Sequence, residues 1–237
     1  MTMRWDTINF FIEKYRYTTY LEIGYYKGWS FDRVKCKFKT AVDPNPCKFP
    51  EQELRLINDK IFEPEGVIYK MTSDQFFRNL SDSKLFTALG RNQDKEKYKW
   101  DIIFIDGLHE REQVLRDLKH AFNHLSDNGI IIMHDCNPPK YEHTTTGIDG
   151  CWTGDVYKAM LDVRNSPEAE AYVIDIDWGV GVVKPIESLK KRDITETQHF
   201  NALTDWDYFD KNRKELLNLI DISTFVAKER YNIIQTV

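Results

Sequence analysis

Apolar and polar positions along this chain follow two alternating rhythms. Around Thr7–Tyr15 the apolar residues recur at helical spacing, and over Thr19–Ile23 they become nearly continuous, the pattern of a strand. A helix is expected to begin near Ser30 and to lead into a second strand, KTAVDP. Gly66–Lys70 reads as a short strand, Ser73–Leu80 as a helix with Ser73 as its N-cap, and WDIIFIDG as a wholly apolar strand. Glu110–Leu125 reads as a helix and GIIIMHD as another apolar strand, with Asp127-Asn128-Gly129 as the turn chemistry that stops the long helix. Runs that are apolar on successive residues suit a sheet covered on both faces. The order therefore predicts an α/β fold with a mainly parallel sheet and helices on both of its faces.

The second half adds detail to that picture. After a helix over Asp155–Ser166, the runs Ala171–Asp175 and Val180–Lys184 are joined by a short turn holding Asp177, Trp178 and Gly179, which predicts an antiparallel hairpin. Phe86–Lys99 is polar and lysine-rich and reads as a surface insertion. Beyond Pro185 the chain is expected to be helical around Asp210–Ile220, packing either on the domain or on a second copy of the chain, so a homo-oligomer stays open. A single domain over residues 1–237, with a core at about 18–185 and a helical extension over 186–237, fits the range that α/β folds fill as one unit.

Composition removes several function classes. The net charge is −5, so no global basic field exists to recruit nucleic acid or anionic lipid by counterion release. Arg4, Asp6, Glu13 and Lys14 interrupt the apolar residues of the N-terminus, unlike a signal peptide. No apolar run approaches the ~18 residues of a membrane span. Cys36, Cys47, Cys136 and Cys151 form no C-x-x-C pair, which argues against a zinc knuckle and suits a reducing cytoplasm.

Candidate chemistry begins at YLEIGYYKGWS. A strand ends in Glu22-Ile23-Gly24, and Tyr25, Gly28 and Ser30 follow, giving a loop suited to hold a ligand. It lacks the three glycines of a G-x-G-x-x-G pyrophosphate turn. The E-x-G-x-x-x-G-x-S order resembles the first motif of class I S-adenosylmethionine (SAM) dependent methyltransferases, whose glycines admit the methionine and ribose portions of SAM. The resemblance implies a Rossmann-like sheet of seven strands, mainly parallel, closed by a C-terminal antiparallel hairpin. It makes Asp43, at the end of the second strand, the acceptor for the ribose hydroxyls, a task suited to a carboxylate that can take several donors at once. A turn aspartate within Asp43-Pro44-Asn45-Pro46 is the alternative. Thr72, Ser73 and Asp74 fall where this family grips adenine, although helix capping explains the same residues.

The segment FIDGLHEREQVLRDL is similar to a subgroup of these enzymes that methylates small hydroxylated molecules, including sugars of polysaccharides and natural products, and that carries a D-G-x-H motif. Asp106 is thereby placed at a strand's C-terminal end, as a SAM-site or metal residue, and His109 in the loop after it. GIIIMHDCNPP places His134, Asp135 and Asn137 at the end of the next strand. Two uses compete. Asp106, Asp135 and His134 could hold Mg2+ that acidifies an acceptor hydroxyl, as in metal-dependent O-methyltransferases, although the usual Asp-Asn pair is here His134-Asp135-Cys136-Asn137. Alternatively His109 alone serves as general base near neutral pH, a use compatible with the first, and Asp135 is a second catalytic candidate. A Thr-Gly-rich segment over about 142–160 resembles a mobile lid, with Trp152, Asp155 and Lys158 as acceptor-binding candidates. Asp155 could equally be a helix N-terminal acid. His120, His124 and His199 read as surface or core residues, and Lys190–Arg192 as a solvated turn.

The sequence thus points to SAM-dependent O-methylation of a small hydroxylated acceptor, with SAM as cofactor and Mg2+ as a candidate second one. A non-catalytic SAM-fold binding protein and a Rossmann-type oxidoreductase are the alternatives.

Overall fold

The computed structural model describes residues 2–47, 60–63, 66–81, 98–147, 151–186, 188–189 and 191–234. These fall into two compact units, one of Ile8–Leu108 and Gln113–Ile131, the other of Met1–Thr7, His109–Glu112 and Ile132–Val237. The insertion expected at Phe86–Lys99 lies outside the described residues as far as position 97, as does Lys190.

The first unit is built on strands β1 (Thr19–Ile23), β2 (Phe38–Val42), β3 (Lys60–Glu63), β4 (Gly66–Tyr69), β5 (Trp100–Ile105) and most of β6 (Leu125–Met133). They run in the order β3-β4-β2-β1-β5-β6. β1 pairs in parallel with both β2 and β5, and β2 in parallel with β4, while β3 is antiparallel to β4. Ile102, Ile103, Phe104 and Ile105 are all buried, the outcome expected of a run apolar on both faces. Helix α1 (Arg4–Tyr15) starts in the second unit and continues into this one, where α2 (Ser73–Ser81) and most of α3 (Arg111–His124) also lie. The helix α3 turns Val114, Leu118 and Ala121 inward at helical spacing.

The second unit holds α4 (Tyr141–Thr144), α5 (Val156–Arg164), β7 (Ala169–Ile174), β8 (Val180–Pro185), α6 (Glu196–Thr204), α7 (Trp206–Leu216), β9 (Leu219–Ile220) and α8 (Ile222–Ile234). β7 and β8 form the expected antiparallel hairpin, with Ala169 opposite Pro185 and Ile174 opposite Val180, and β9 adds in parallel to β7. The tail is more structured than the one helix expected: α6 opens with a capping box in which Thr195 and Gln198 bond reciprocally, and Asp205 caps α7.

Three local expectations are corrected. No helix follows Ser30. Residues 26–27 and 29–33 are turns, and the ammonium of Lys39, only 4% exposed, donates to the carbonyls of Phe31 at 2.6 Å and Val34 at 3.2 Å. Those buried carbonyls are thereby satisfied without a helical ladder. Gly129 does not stop a helix, because α3 ends at His124 and β6 begins at once, leaving Gly129 inside the strand. A Cβ there would approach Leu125 Cγ to 2.5 Å. Nine strands are found among the described residues where seven were expected; β3 and β9, with four and two residues, are too short to show an alternation that sequence could reveal.

Candidate functional site

In the first unit the loop after β1 carries the glycine pattern. Gly24 has φ +97°, and a Cβ there would lie 1.9 Å from the carbonyl oxygen of Asp106. Two loops, those after β1 and β5, therefore approach at a distance only glycine permits. The amide of Gly24 donates to Val42 O at 2.9 Å and that of Asp106 to Ile23 O at 2.8 Å, which fixes both loop starts at one sheet edge. Gly28 also has positive φ, +73°. Tyr25 and Ser30 are buried beneath the turn, Tyr25 edge-on to Phe31 with ring centroids 5.4 Å apart. Glu22 is buried too and accepts a hydrogen bond from the Tyr20 hydroxyl.

Asp43 is found with both carboxylate oxygens in use, accepting from the amides of Tyr26 and Asn45 at 2.7 Å each. It is thus a turn aspartate that ties the β2 loop to the β1 loop. A carboxylate has about four acceptor positions, so two further donors can still be accommodated. Thr72, not Ser73, caps α2: its hydroxyl accepts from Gln75 N at 3.2 Å while Gln75 Oε1 accepts from Thr72 N at 3.0 Å. Ser73 instead donates at 2.6 Å to Asp117 on α3, which also accepts from Gln113 at 3.0 Å. Burial dominates at Asp117, and although these bonds oppose it, the carboxyl titrates at about 6. Sequence reading missed Asp117, whose only signal is a carboxylate on the apolar face of a helix.

The second unit brings together His109, His134, Asp135, Trp152 and Asp155. Asp135 has φ +58° and is buried. One of its oxygens lies 3.3 Å from His109 Nδ1, the other 3.2 Å from His134 Nδ1. His109 Nδ1 also lies 2.8 Å from the carbonyl oxygen of Trp152. A carbonyl can only accept, so the proton of the neutral ring sits on Nδ1 and the basic nitrogen is Nε2. The Trp152 ring, 40% exposed, stands beside the imidazole with centroids 5.4 Å apart.

The backbone around His109 is equally constrained. Asp155 N donates to His109 O at 3.0 Å, and the Asp155 carboxylate accepts from Arg111 N at 2.6 Å. Asp155 thereby supplies an acceptor to the first amide of α3, while its position begins α5. Gly154, at φ +57°, lies so close that a Cβ would meet His109 O at 1.8 Å. Lys158, half-buried on α5, places its ammonium 5.8 Å from the Tyr157 ring centroid.

Beyond Asp135 the network reaches residues with no motif. His134 Nε2 is 3.0 Å from the Arg4 guanidinium, which donates to Asp177 at 3.0 Å, and the Arg4 amide donates to the same Asp177 oxygen at 2.9 Å. Burial opposes the charge on Asp177, but His134 and Arg4 outweigh it and hold the carboxyl below its usual range. Asn137, grouped by sequence with Asp135, binds Asp175 through its amide at 3.0 Å and accepts from Arg213 at 2.7 Å. Of the other histidines, His120 and His124 stack on Phe77, His199 binds Asp162 at 2.9 Å, and the buried His143 lies beside Trp178 with ring centroids 5.1 Å apart.

Residues 21–136 match a protein family described as "Methyltransferase domain". No curated protein matches the chain in sequence. Among solved structures the chain resembles an O-methyltransferase from Bacillus cereus crystallised with S-adenosylhomocysteine (SAH), at 10% identity and TM-score 0.52, over 77% of this chain and 80% of that one. A Staphylococcus aureus protein provisionally assigned as a caffeoyl-CoA O-methyltransferase is similar at 15% identity and TM-score 0.52, over 77% and 82%. These likenesses show the Rossmann-like methyltransferase fold, and over residues 21–136 the chain is similar to a methyltransferase domain.

Proposed function

We propose that the protein transfers the methyl group of SAM to a hydroxyl of a small, ring-shaped acceptor. The observation that carries this reading is the pairing of an exposed aromatic ring, Trp152, with an imidazole whose basic nitrogen is Nε2. A flat aromatic surface suits the apolar face of a sugar or phenolic ring, and the neighbouring base suits its hydroxyl. The positive-φ glycines at 24 and 28 and the remaining acceptor capacity of Asp43 fit SAM, whose ribose offers two hydroxyl donors and whose methionine end needs close backbone approach.

SAM, when bound, supplies an electrophilic methyl on a sulfonium that leaves as a neutral thioether. The chain's own part is to orient the acceptor and to take its proton. Trp152 O holds His109 in the Nδ1–H form, and Asp135 stabilises the imidazolium that forms when Nε2 accepts the acceptor's proton. The four cysteines, none of them in a disulfide, suit a reducing compartment, and no described helix is long and apolar enough to cross a membrane.

Calorimetric titration with SAH tests the reading. Asp43→Ala is expected to weaken SAH by roughly five- to 150-fold, the equivalent of ~1–3 kcal/mol for hydrogen bonds to a charged acceptor. Equal affinity in the variant removes Asp43 from the site, and absence of SAH binding by the parent protein overturns the proposal.

A further inference from the structure

Between Gly24 and Ser30 the chain turns back at Tyr26 and Lys27. The amide of Gly28 donates to Tyr25 O at 2.7 Å, the closing bond of a β-turn. Tyr26 sits in that turn at φ +45°, a left-handed conformation that is costly for a residue with a bulky side chain. Its main chain is nevertheless held on both sides. The amide donates to Asp43 Oδ2 at 2.7 Å, and the carbonyl accepts from Cys47 N, also at 2.7 Å. Trp29 is tied down as well, its carbonyl accepting from the Arg33 guanidinium at 2.9 Å. A strained turn bonded this firmly presents its side chains in one arrangement.

That arrangement is a cation set over two rings. Tyr26 and Trp29 are each 50% exposed and meet edge to face, with centroids 5.9 Å apart. The exposed Lys27 places its ammonium 5.1 Å from the centroid of the first and 5.5 Å from that of the second. Both distances are within cation–π range, so the rings restrain the ammonium without neutralising it. Among the described residues it pairs with no carboxylate. A compact charge with three N–H donors, positioned before any anion arrives, loses less freedom in binding one. The loop itself indicates what carries that anion. Asp43, bonded to the Tyr26 amide, keeps acceptor positions for two ribose hydroxyls, and Lys27 is the next residue along, its Cα ~3.8 Å from that of Tyr26. A ligand with its ribose at Asp43 and an amino-acid chain running along the loop therefore brings its charged end to this rim.

We propose that Lys27, restrained by Tyr26 and Trp29, is a binding residue for the carboxylate at the methionine end of SAM. The contact is a charge-assisted hydrogen bond from ammonium to carboxylate. It makes the site select an intact amino-acid end, because the adenosine and sulfur of the cofactor carry no negative charge. Lys27 is exposed, so solvent screening keeps the gain modest. This inference rests on the SAM reading of the loop in the proposed function.

Calorimetric titration at low salt with two ligands tests it: SAH, and decarboxylated SAH, which keeps the adenosine, thioether and ammonium and lacks only the carboxylate. The parent protein is expected to prefer SAH. Lys27→Met should weaken SAH by about three- to fivefold, the upper range for an exposed ion pair. The same substitution should leave decarboxylated SAH unchanged or slightly tighter, since that ligand is a net cation and gains from losing the ammonium. An SAH affinity unaltered in Lys27→Met, or an equal loss on both ligands, overturns the proposal. If the variant does not fold, the parent alone decides, for equal affinity for the two ligands overturns it too. A parent that binds no SAH takes down the methyltransferase reading and this assignment with it, whereas SAH binding that ignores Lys27 takes down this assignment alone.

Discussion

Asp117 offers a quantitative check of the first unit. Its carboxyl titrates at about 6 against an ordinary 3.8, and it is 1% exposed, so solvent screening does not blunt the shift. The folded state holds this proton more tightly than the unfolded chain does. Burial of Asp117 is therefore without penalty below pH ~4 and costs stability as pH rises, reaching its full value above pH ~6. At about 1.4 kcal/mol per pKa unit the cost is ~3 kcal/mol at pH 8 and about half of that at pH 5. Asp117→Asn keeps an oxygen for Ser73 and Gln113 but removes the titration. It also buries a new N–H pair, which costs about 1–3 kcal/mol at every pH if left unpaired. The constant term cancels when the difference between variant and parent is compared at two pH values. That difference should move in the variant's favour by ~1–2 kcal/mol from pH 5 to pH 8, roughly 2–8 °C in melting temperature for a chain of this size. Urea or thermal unfolding at both pH values measures it. Parallel pH dependence in variant and parent would show that Asp117 is ionised normally and that the Ser73 contact is not a buried acid's.

Three further outcomes follow from the other unit and from the motif acids. His109→Ala should lower kcat ~10²–10⁴-fold, the usual contribution of a positioned base, while SAH affinity stays near the parent's; near-normal turnover would make His109 a structural loop residue. Gly154→Ala must displace His109 O or the loop itself, because the new Cβ would lie 1.8 Å from that oxygen; lower kcat and lower melting temperature are expected together, and a variant unchanged in both refutes the tight fit. The resemblance to metal-dependent enzymes, which made Asp106 and Asp135 candidate magnesium ligands in sequence, carries a metal requirement as a proposal. EDTA should then abolish turnover and added magnesium restore it, whereas full activity in chelator leaves the two acids as hydrogen-bonding groups.

The strands that form the body of each unit were readable because burial on both faces demands uninterrupted apolar runs. Ile102–Ile105 and Tyr172–Ile174 are such runs, and all are buried. The loop after β1 was readable for a different reason: Gly24 and Gly28 stand where φ is positive, and glycine marks such positions plainly. What escaped notice depends on partners remote in sequence. Lys39 reads as a surface lysine until it is seen supplying donors to Phe31 and Val34, and with that support the turns need no helix. Arg4 and Asp177 lie 173 positions apart, and neither belongs to a motif. Ser73 looked like a cap because the preceding threonine has the same chemistry; only the bond to Asp117 separates their roles.

The tight seating of Gly154 against His109 bears on how acceptor range could be redesigned. Trp152 supplies both an exposed ring, free to be exchanged for other shapes, and a backbone carbonyl that any residue at that position would still provide. A combinatorial library can therefore vary the side chain at 152 while keeping the imidazole's orientation, provided 154 remains glycine and Asp155 keeps its bonds to His109 and Arg111. On the proposed roles, recognition and proton transfer are separately editable: one is written in side chains of the segment, the other in its main chain.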